Sequence, residues 1–366
     1  MNKETERSAP AARAAVSRRG VLLGLAAVGA IAAADVGGFL YAGGWLTPDA
    51  LTPSRLADRF EQVYGKHDGF RRNHAKGLSA TGHFISNGAG SAVSTALVFQ
   101  PGRIPVVGRF SLSGGLPDAA DANATVRGLG LAFTLRNGEQ WRTAMVNIPV
   151  FLDNTPEGFY ERLLASKPVA ATGKPDPERM AAFLARHPET TAAMQIVRQH
   201  SPTSGFGDST FHGLNAFGFT NAPGVTAAVR WMLVPEQSVQ PAHPGQPPSR
   251  NYLFDELIRT VAHTPLRWRL VLTIGEPGDP THDATLPWPE NRRRLDVGTV
   301  TIDSVQTEET GNARDVNFDP LVLPAGISPS DDPLLSARSA VYARSFTRRT
   351  SEPIQPGAVT VPQVLG

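Results

Sequence analysis

The densest group of potentially reactive side chains is the segment 70–77, which reads Phe-Arg-Arg-Asn-His-Ala-Lys-Gly. Histidine, here His74, is a residue type that transfers protons as a general acid or base. Arginine, here Arg71, binds carboxylates through its planar, permanently charged guanidinium group. A second arginine block, Gly-Arg-Phe-Ser at 108–111, lies on a predicted strand. Taken alone, segment 70–77 also fits a basic surface loop, so the residue types leave both interpretations open.

Arg338 and Tyr342 form another candidate pair, close to the end of the chain. The pattern of residues 334–346 predicts a helix, and residues four apart share one helix face. A free tyrosine has a pKa of about 10, so a phenolate ligand near neutral pH needs a cationic neighbour or a metal ion. On a shared helix face, the Arg338 guanidinium is expected to donate a hydrogen bond to the Tyr342 oxygen. The alternative is an ordinary surface contact between an arginine and a tyrosine.

Composition and missing motifs exclude several classes of chemistry. Lys+Arg 35 against Asp+Glu 33 gives a net charge of +2, which offers no reason to expect nucleic acid as a partner. With Cys 0, the chain has no disulfides, thiolate metal sites, iron–sulfur clusters or cysteine nucleophile. No dinucleotide or phosphate loop, His-Glu-x-x-His or Gly-x-Ser-x-Gly motif is present, which argues against nucleotide, zinc and serine-hydrolase chemistry.

The elements that must position these residues change type along the chain. Short strands are predicted within 77–150 and again within 213–234 and 267–302, and helices within 155–200 and 252–264. The strands of the first group are predicted at 92–100, 106–111, 130–135 and 141–147. Antiparallel strands with helices inserted between them indicate an α+β protein with a barrel or a large sheet.

Eight blocks, taken together and in order, resemble the haem catalases. That family has an Arg followed after two residues by His-Ala-Lys-Gly, then Val-Arg-Phe-Ser, then Asn-x-Pro-x-Phe, and near its end an Arg followed after three residues by Tyr. The corresponding blocks here are 71–77, 108–111, 126–133, 147–151, 209–216, 279–289, 316–327 and 338–342, with Gly108 in place of the Val.

The resemblance is greatest to the smaller branch of the family, the catalase-related peroxidases, because the chain ends soon after Tyr342. It implies a catalase-like antiparallel β-barrel with surrounding helices, without the C-terminal helical and flavodoxin-like domains of larger catalases. The expected domains are a leader at 1–46 and a haem domain at 47–366.

The resemblance also implies haem b as the cofactor, with Tyr342 as the axial iron ligand and Arg338 beside it. Arg71 and Arg109 match propionate-binding positions, and Arg349 resembles a third, although the sequence around it departs from the family. Arg127 either assists at the propionates or only stabilises its loop.

On the peroxide side, the resemblance assigns the proton transfers to His74, first as base and then as acid. Asn147 is expected to orient the peroxide by a hydrogen bond, and Ser111 to bind the other ring nitrogen of the histidine and set its tautomer. Phe151 either covers the haem face or belongs to the core.

The implied activity is a peroxidase that reduces hydrogen peroxide or organic hydroperoxides with an unidentified one-electron donor. The alternatives are a true catalase, a hydroperoxide-rearranging enzyme, or a haem-binding or haem-sensing protein without turnover. The last needs only the tyrosine and the arginines, so the presence of both His74 and Asn147 argues against it. The oligomeric state stays open.

The N-terminal segment is predicted to export the protein. Residues 1–19 carry a surplus of three positive charges, residues 20–34 are uncharged, and Ser17–Leu23 resembles a twin-arginine signal. Either cleavage after Ala34 releases a periplasmic protein, or 20–46 stays in the membrane as an anchor with Asp35 inside it. In both cases the haem domain lies outside the cytoplasm. The remaining alternative is a buried N-terminal helix.

Overall fold

The structure, a computed structural model, describes residues 51–123, 126–242 and 249–365. From Pro53 onward, the described residues belong to one compact unit. The predicted leader at 1–46, with its signal and anchor, lies outside the described residues, and the domain boundary at 46/47 stays a prediction. Within the described part of the chain, no helix is both long enough and apolar enough to cross a bilayer.

Ten strands and seven α-helices make up the described part of the chain. The strands are β1 Gly77–Ser86, β2 Gly102–Leu112, β3 Arg127–Thr134, β4 Gln140–Val146, β5 Phe211–His212, β6 Phe217–Thr220, β7 Thr226–Pro235, β8 Leu266–Ile274, β9 Arg294–Gln306 and β10 Ile327–Pro329. The helices are α1 Pro53–Tyr64, α2 Pro156–Ala165, α3 Pro177–Arg186, α4 Pro188–Arg198, α5 Tyr252–His263, α6 Pro333–Thr350 and α7 Val361–Leu365.

Eight of the strands close into an antiparallel barrel. Their order is β7-β5-β4-β3-β2-β1-β9-β8, and β8 pairs again with β7, so the ring has no open edge. β6 and β10 extend the sheet outward from β7. The α+β class and the predicted barrel with surrounding helices are therefore confirmed.

Aromatic side chains fill the barrel interior. Successive residues of a strand point to opposite faces, and the inward positions include Phe110, Phe133, Trp141, Trp231 and Trp268, all at most 3% exposed. Trp141 contacts both Phe133 and Trp231 with ring centroids 5.1 Å apart. This dense core makes the wall a rigid support for whatever the outward face carries.

The outward face of β2, β3 and β4 is built from small residues. The register places Ser111 beside Gly128, and Gly130 between Arg109 and Ala144. These positions alternate along each strand with the inward aromatic and aliphatic positions. Because successive residues of a strand point to opposite faces of the sheet, one set of side chains faces the core and the other faces outward. The outer wall is therefore a shallow surface with Arg109 and Ser111 standing on it.

One strand prediction is wrong. Residues 92–100 are not a strand: one 3-10 helix, Ala89–Ala92, ends where the predicted strand begins, and a second, Leu97–Phe99, lies within it. Gly88 has a φ of 86°, and a side chain at Gly90 would lie 2.5 Å from the Phe99 ring. The apolar run packs back on its own turn, and a short apolar run does not by its pattern distinguish that arrangement from a buried strand.

Candidate functional site

A deep cleft lies against the outer wall, lined on its other side by residues of α6. Its empty volume is about 1290 Å³ with the solvent at its mouth included. Of the residues predicted from the sequence, those that line the cleft are Arg71, His74, Arg109, Ser111, Phe151, Arg338, Tyr342 and Arg349.

His74 is held in an unusual backbone conformation at the wall of this cleft. Its φ is 55°, a left-handed conformation that non-glycine residues rarely adopt, at a cost of about 1–3 kcal/mol. Asn73 stabilises it, because its Oδ1 accepts hydrogen bonds from the backbone N–H groups of His74 at 3.0 Å and Gly114 at 2.9 Å. The fold thus overcomes local strain to direct this ring into the cleft.

Ser111 and Gly128 set the position of the His74 ring. Nδ1 of His74 lies 3.0 Å from Oγ of Ser111. A Cβ at Gly128 would lie 2.8 Å from that Oγ and 3.0 Å from both Cε1 and Nδ1 of the ring. The ring therefore rests on bare backbone, and any side chain at 128 would displace it.

His74 stays neutral over the ordinary pH range. Burial lowers its pKa most, and together with the positive charges of Arg109, Arg338 and Arg71 it brings the pKa to about 3. Among the described residues Nε2 has no hydrogen-bond partner, whereas Nδ1 has Ser111. A neutral ring with one nitrogen committed and the other open to the cleft is suited to accept a proton there.

Three arginines and one glutamate form an ionic cluster beside His74, in which Arg109 and Arg349 are buried and Arg71 and Glu308 are partly buried. Arg71 comes from the loop before β1, Arg109 from β2 and Arg349 from the last turn of α6, and the carboxylate is Glu308, just after β9. Arg109 binds both oxygens of Glu308 at 2.8 Å, and Nη1 of Arg71 lies 3.4 Å from Oε1. Burial would raise the pKa of Glu308, but the arginines lower it to about 2.

Sequence reasoning did not identify Glu308. It follows a strand among other polar residues, Gln-Thr-Glu-Glu-Thr at 306–310, where the pattern is that of an ordinary exposed loop. The fold partly buries this carboxylate because β9 pairs with β1, which brings the end of β9 to the start of β1. The position of Glu308 at the site depends on the pairing of two strands more than 200 residues apart, so the residues around it in the sequence give no indication of its role.

Arg338 and Tyr342 both line the cleft, as their spacing predicts, but the hydrogen bonds of Arg338 go elsewhere. Its Nη1 donates to Oδ1 of Asn215, and its Nη2 donates to the Ala144 carbonyl at 3.2 Å. Within the described part of the chain it makes no hydrogen bond to Tyr342. Arg338 and Tyr342 therefore line the same cleft, but the Arg338 guanidinium is hydrogen-bonded to Asn215 and Ala144 instead of to the tyrosine oxygen.

A polar chain holds Arg338 in place. Asp332 is the N-cap of α6, with Oδ1 accepting from the Leu334 N–H at 2.9 Å, and its Oδ2 accepts from Asn215 at 2.7 Å. Asn215 in turn accepts from Arg338. Leu214, next to Asn215, also has a positive φ of 64° and lines the cleft. Neither Asn215 nor Asp332 carried a signal for this role in the sequence.

Of the remaining predicted residues, Phe151 lines the cleft, whereas Asn147 and Arg127 are not among its lining residues in the described part of the chain. Phe151 stacks on Phe159 with centroids 5.8 Å apart. Asn147 follows the lining residue Val146, and its Oδ1 accepts from the Arg127 N–H at 2.8 Å. The Arg127 guanidinium bonds the loop 203–209, which supports its loop-stabilising interpretation.

The residues present fit a haem. The wall is flat because Gly128 and Gly130 lack side chains, and a Cβ at Gly130 would lie 2.8 Å from the Phe318 ring. Three arginines at one end suit the two propionates, and a tyrosine hydroxyl is one of the groups that ligate haem iron. An acid–base histidine lines the same cleft. An apolar wall, a cationic end and a side chain that can ligate iron all suit a haem, and this cleft has all three.

Comparison with known proteins gives consistent results along the chain. A family model described as Catalase matches residues 69–361. A "Catalase-related peroxidase" of Synechococcus elongatus is 39% identical over 303 residues, covering 82% of this chain and 89% of that protein. Another of that name, from Mycolicibacterium paratuberculosis, is 33% identical and covers 82% of this chain and 95% of its own length.

Solved structures share the architecture. A fungal catalase superposes with a TM-score of 0.68 at 20% identity, covering 78% of this chain and 60% of that one. A bacterial catalase gives a TM-score of 0.66 at 21% identity, covering 82% and 61%. At such identities the likeness concerns the fold, and this chain spans about three fifths of the length of those two proteins.

Proposed function

The chain belongs to the catalase family, and on that premise we propose that it is a haem-dependent peroxidase that reduces hydrogen peroxide or organic hydroperoxides with one-electron donors. The observation that carries the proposal is that His74, Tyr342 and the arginine cluster line one cleft. The two relatives named catalase-related peroxidase support a peroxidase over a catalase.

Membership of the family implies a haem cofactor, and the chain favours haem b. Covalent attachment of a c-type haem needs cysteines, and this chain has Cys 0. The haem, when bound, supplies the redox-active iron at which the peroxide O–O bond is cleaved. Tyr342 would hold that iron, and the arginine cluster would hold the propionates.

His74 performs the proton transfers in this proposal. With its Nδ1 proton donated to Ser111, the Nε2 lone pair takes the proton from the peroxide O–H group. The same nitrogen then returns this proton to the outer oxygen, which leaves as water or an alcohol. Ser111 holds the tautomer, and Gly128 leaves space for the ring. Asn147 directly follows β4, next to the lining residue Val146, and would orient the peroxide from there.

We expect the haem-loaded protein to oxidise a one-electron dye with a hydroperoxide faster than it releases oxygen from hydrogen peroxide alone. A margin of about tenfold or more corresponds to about 1.4 kcal/mol in activation free energy. The measurement compares an oxygen electrode with dye absorbance on one preparation. His74→Asn is the control, because it should reduce both activities if the cleft is responsible.

Three results would change the assignment. Oxygen release faster than dye oxidation would favour a true catalase. Conversion of an organic hydroperoxide without consumption of the dye would favour a rearranging enzyme. A haem-loaded protein that turns over neither substrate would favour haem binding or sensing.

We also propose that the protein is exported, with its haem domain on the periplasmic side, either released or attached to the membrane by segment 20–46. The support is the basic and uncharged pattern of the N-terminal sequence. The peroxide and its electron donor would then be met outside the cytoplasm.

Replacing both Arg18 and Arg19 with lysine should abolish export, because twin-arginine signals depend on the arginine pair and not only on its charge. The measurement is fractionation of cells into cytoplasm, membrane and periplasm with detection of the full chain. Arg7→Lys with Arg13→Lys is the matched control and should export normally. Normal export of the Arg18/Arg19 variant would indicate another route or a simple anchor, and a native protein soluble in the cytoplasm would contradict export altogether.

A further inference from the structure

We propose that Glu308 belongs to the haem site. Its carboxylate lowers the net positive charge of the arginine cluster to the value that balances two propionates, and Arg109 is the positioning residue that holds this carboxylate. This inference rests on the proposed function, since it concerns the same cofactor. It differs from the expectation drawn from the resemblance, which made Arg109 a propionate ligand.

The hydrogen bonds of Arg109 are already committed. Its Nε and Nη2 donate to the two oxygens of Glu308 at 2.8 Å. Its Nη1 donates to the His74 carbonyl at 2.8 Å, and Nη2 also donates to the Ala75 carbonyl at 3.2 Å. A guanidinium has five N–H donors, so four are in use. The forked face that binds a carboxylate bidentately is therefore occupied by Glu308.

Packing also holds this guanidinium in place. A Cβ at Gly77 would lie 2.3 Å from Nη2 of Arg109 and 2.4 Å from Cζ. The side chain thus rests on the bare backbone of Gly77, and Arg109 as a whole is only 3% exposed. A guanidinium fixed by packing and by two carbonyls is not free to turn its fork toward a new ligand.

Arg71 and Arg349 are in a different position. Nη2 of Arg71 donates to the carbonyls of Ala313 and Val316 at 3.1 and 2.8 Å, and also lies 3.4 Å from that of Arg314. Arg349 donates to the carbonyls of Arg314 and Val316. Carbonyls orient these groups but carry no full negative charge, and the contact of Arg71 with Glu308 is long, at 3.4 Å. Their charges remain available to propionates.

The charges of the cluster then balance. Three arginines and one glutamate carry a net charge of +2, and the two propionates of a haem carry −2. Without Glu308 the haem-free cluster would hold three positive charges with no counter-charge, and such charges repel one another in a poorly solvated site. In the haem-loaded protein the propionates supply negative charge, so the Glu308 carboxylate stabilises the loaded state less than it stabilises the haem-free state.

This difference in stabilisation between the two states has a measurable consequence. A variant that lacks the carboxylate destabilises the haem-free state more than the loaded state. Because binding and folding are linked, haem must then bind more tightly to the variant. An ordinary structural ion pair would lower the stability of both states alike and leave haem affinity unchanged.

The test uses Glu308→Gln, which keeps the side-chain shape and removes the charge. Thermal midpoints are measured with and without haem, and haem affinity is measured by absorbance titration. We expect a larger fall of the midpoint without haem, and binding about tenfold tighter. Haem whose propionates are methyl esters should show no such gain. Glu352→Gln is the matched control, because Glu352 also pairs with an arginine, Arg72, and its side chain is equally exposed at 12%.

A second variant keeps the proposal falsifiable if Glu308→Gln does not fold. Arg109→Gln combined with Glu308→Gln removes the pair as a unit and leaves a net charge of +2 on Arg71 and Arg349. We expect this variant to bind haem within a few-fold of the wild type. A large loss of haem affinity in the double variant would identify Arg109 as a propionate ligand and overturn the proposal.

Failure of this inference is distinguishable from failure of the proposed function. Equal falls of both midpoints in Glu308→Gln, with haem affinity unchanged or weaker, would reduce Glu308 to a structural ion pair while the wild type still binds haem. A wild-type protein that binds no haem in the titration would instead contradict the proposed cofactor, and the inference with it.

Discussion

Tyr342→Phe is expected to leave the protein with little or no haem. Phenylalanine keeps the ring that packs against the buried cluster of Ala132, Ala313 and Phe318 but removes the oxygen that would bind iron. Loss of groups that merely support a metal ligand typically costs about 10–100-fold in affinity, so loss of the ligand itself should cost more. The measurement is haem content per chain and the absorption spectrum after purification and after titration with haem.

Tyr160→Phe provides a control for the Tyr342 experiment. Tyr160 lies on α2, where its ring contacts the Arg59 guanidinium, and it is not among the described residues that line the cleft. This variant should keep a full haem complement. If Tyr342→Phe also retained haem with an unchanged spectrum, another residue would be the axial ligand, and the role assigned to Tyr342 would be wrong.

His74→Asn should retain haem but cleave the peroxide O–O bond more slowly by about 10² to 10⁴, the usual effect of a positioned acid–base group. Asparagine is chosen because it tolerates the positive φ at this position better than most residues, which separates loss of the proton acceptor from loss of the local fold. Stopped-flow absorbance after mixing with peroxide measures the rate. Ser111→Ala and Asn147→Ala should show smaller losses.

The pH profile gives a second measurement of the same role. With a pKa of about 3, His74 is neutral and able to accept a proton at every pH well above that value. The wild-type rate should therefore show no fall attributable to this histidine between pH 5 and 8. His83→Ala, on β1 away from the cleft, is the control and should retain the wild-type rate. A His74→Asn variant with the wild-type rate would disprove the proton-transfer role.

The construction of the site explains why such variants can be made without unfolding the protein. The barrel closes around an aromatic core, and the functional groups stand on its outer face. Ser111 and Arg109 alternate along β2 with the buried Phe110, so core and site share a strand without sharing a face. Substitutions on the outward positions of β2 and β3 should alter the cleft more than the core.

Local patterns in the sequence were sufficient for most of the elements. Strand alternation and helix periodicity act between neighbouring residues, which is why β2, β4, α5 and α6 were predicted close to their observed bounds. The roles of His74, Arg109 and Tyr342 came instead from the resemblance of their sequence blocks to those of the haem catalases.

Tertiary structure decided how these residues are paired, because ionic and hydrogen-bonding partners come together only when distant strands and helices meet. Glu308 binds Arg109 across 199 residues, and Asn215 accepts from Arg338 across 123. Arg338 was expected at the tyrosine oxygen but is held by Asn215 and a carbonyl of β4. Burial then sets the electrostatics: the same desolvation that keeps His74 neutral makes the charge of Glu308 matter to its three arginines. Neither effect is encoded in the spacing of residues along the chain, since both depend on which groups the closed barrel and α6 enclose together.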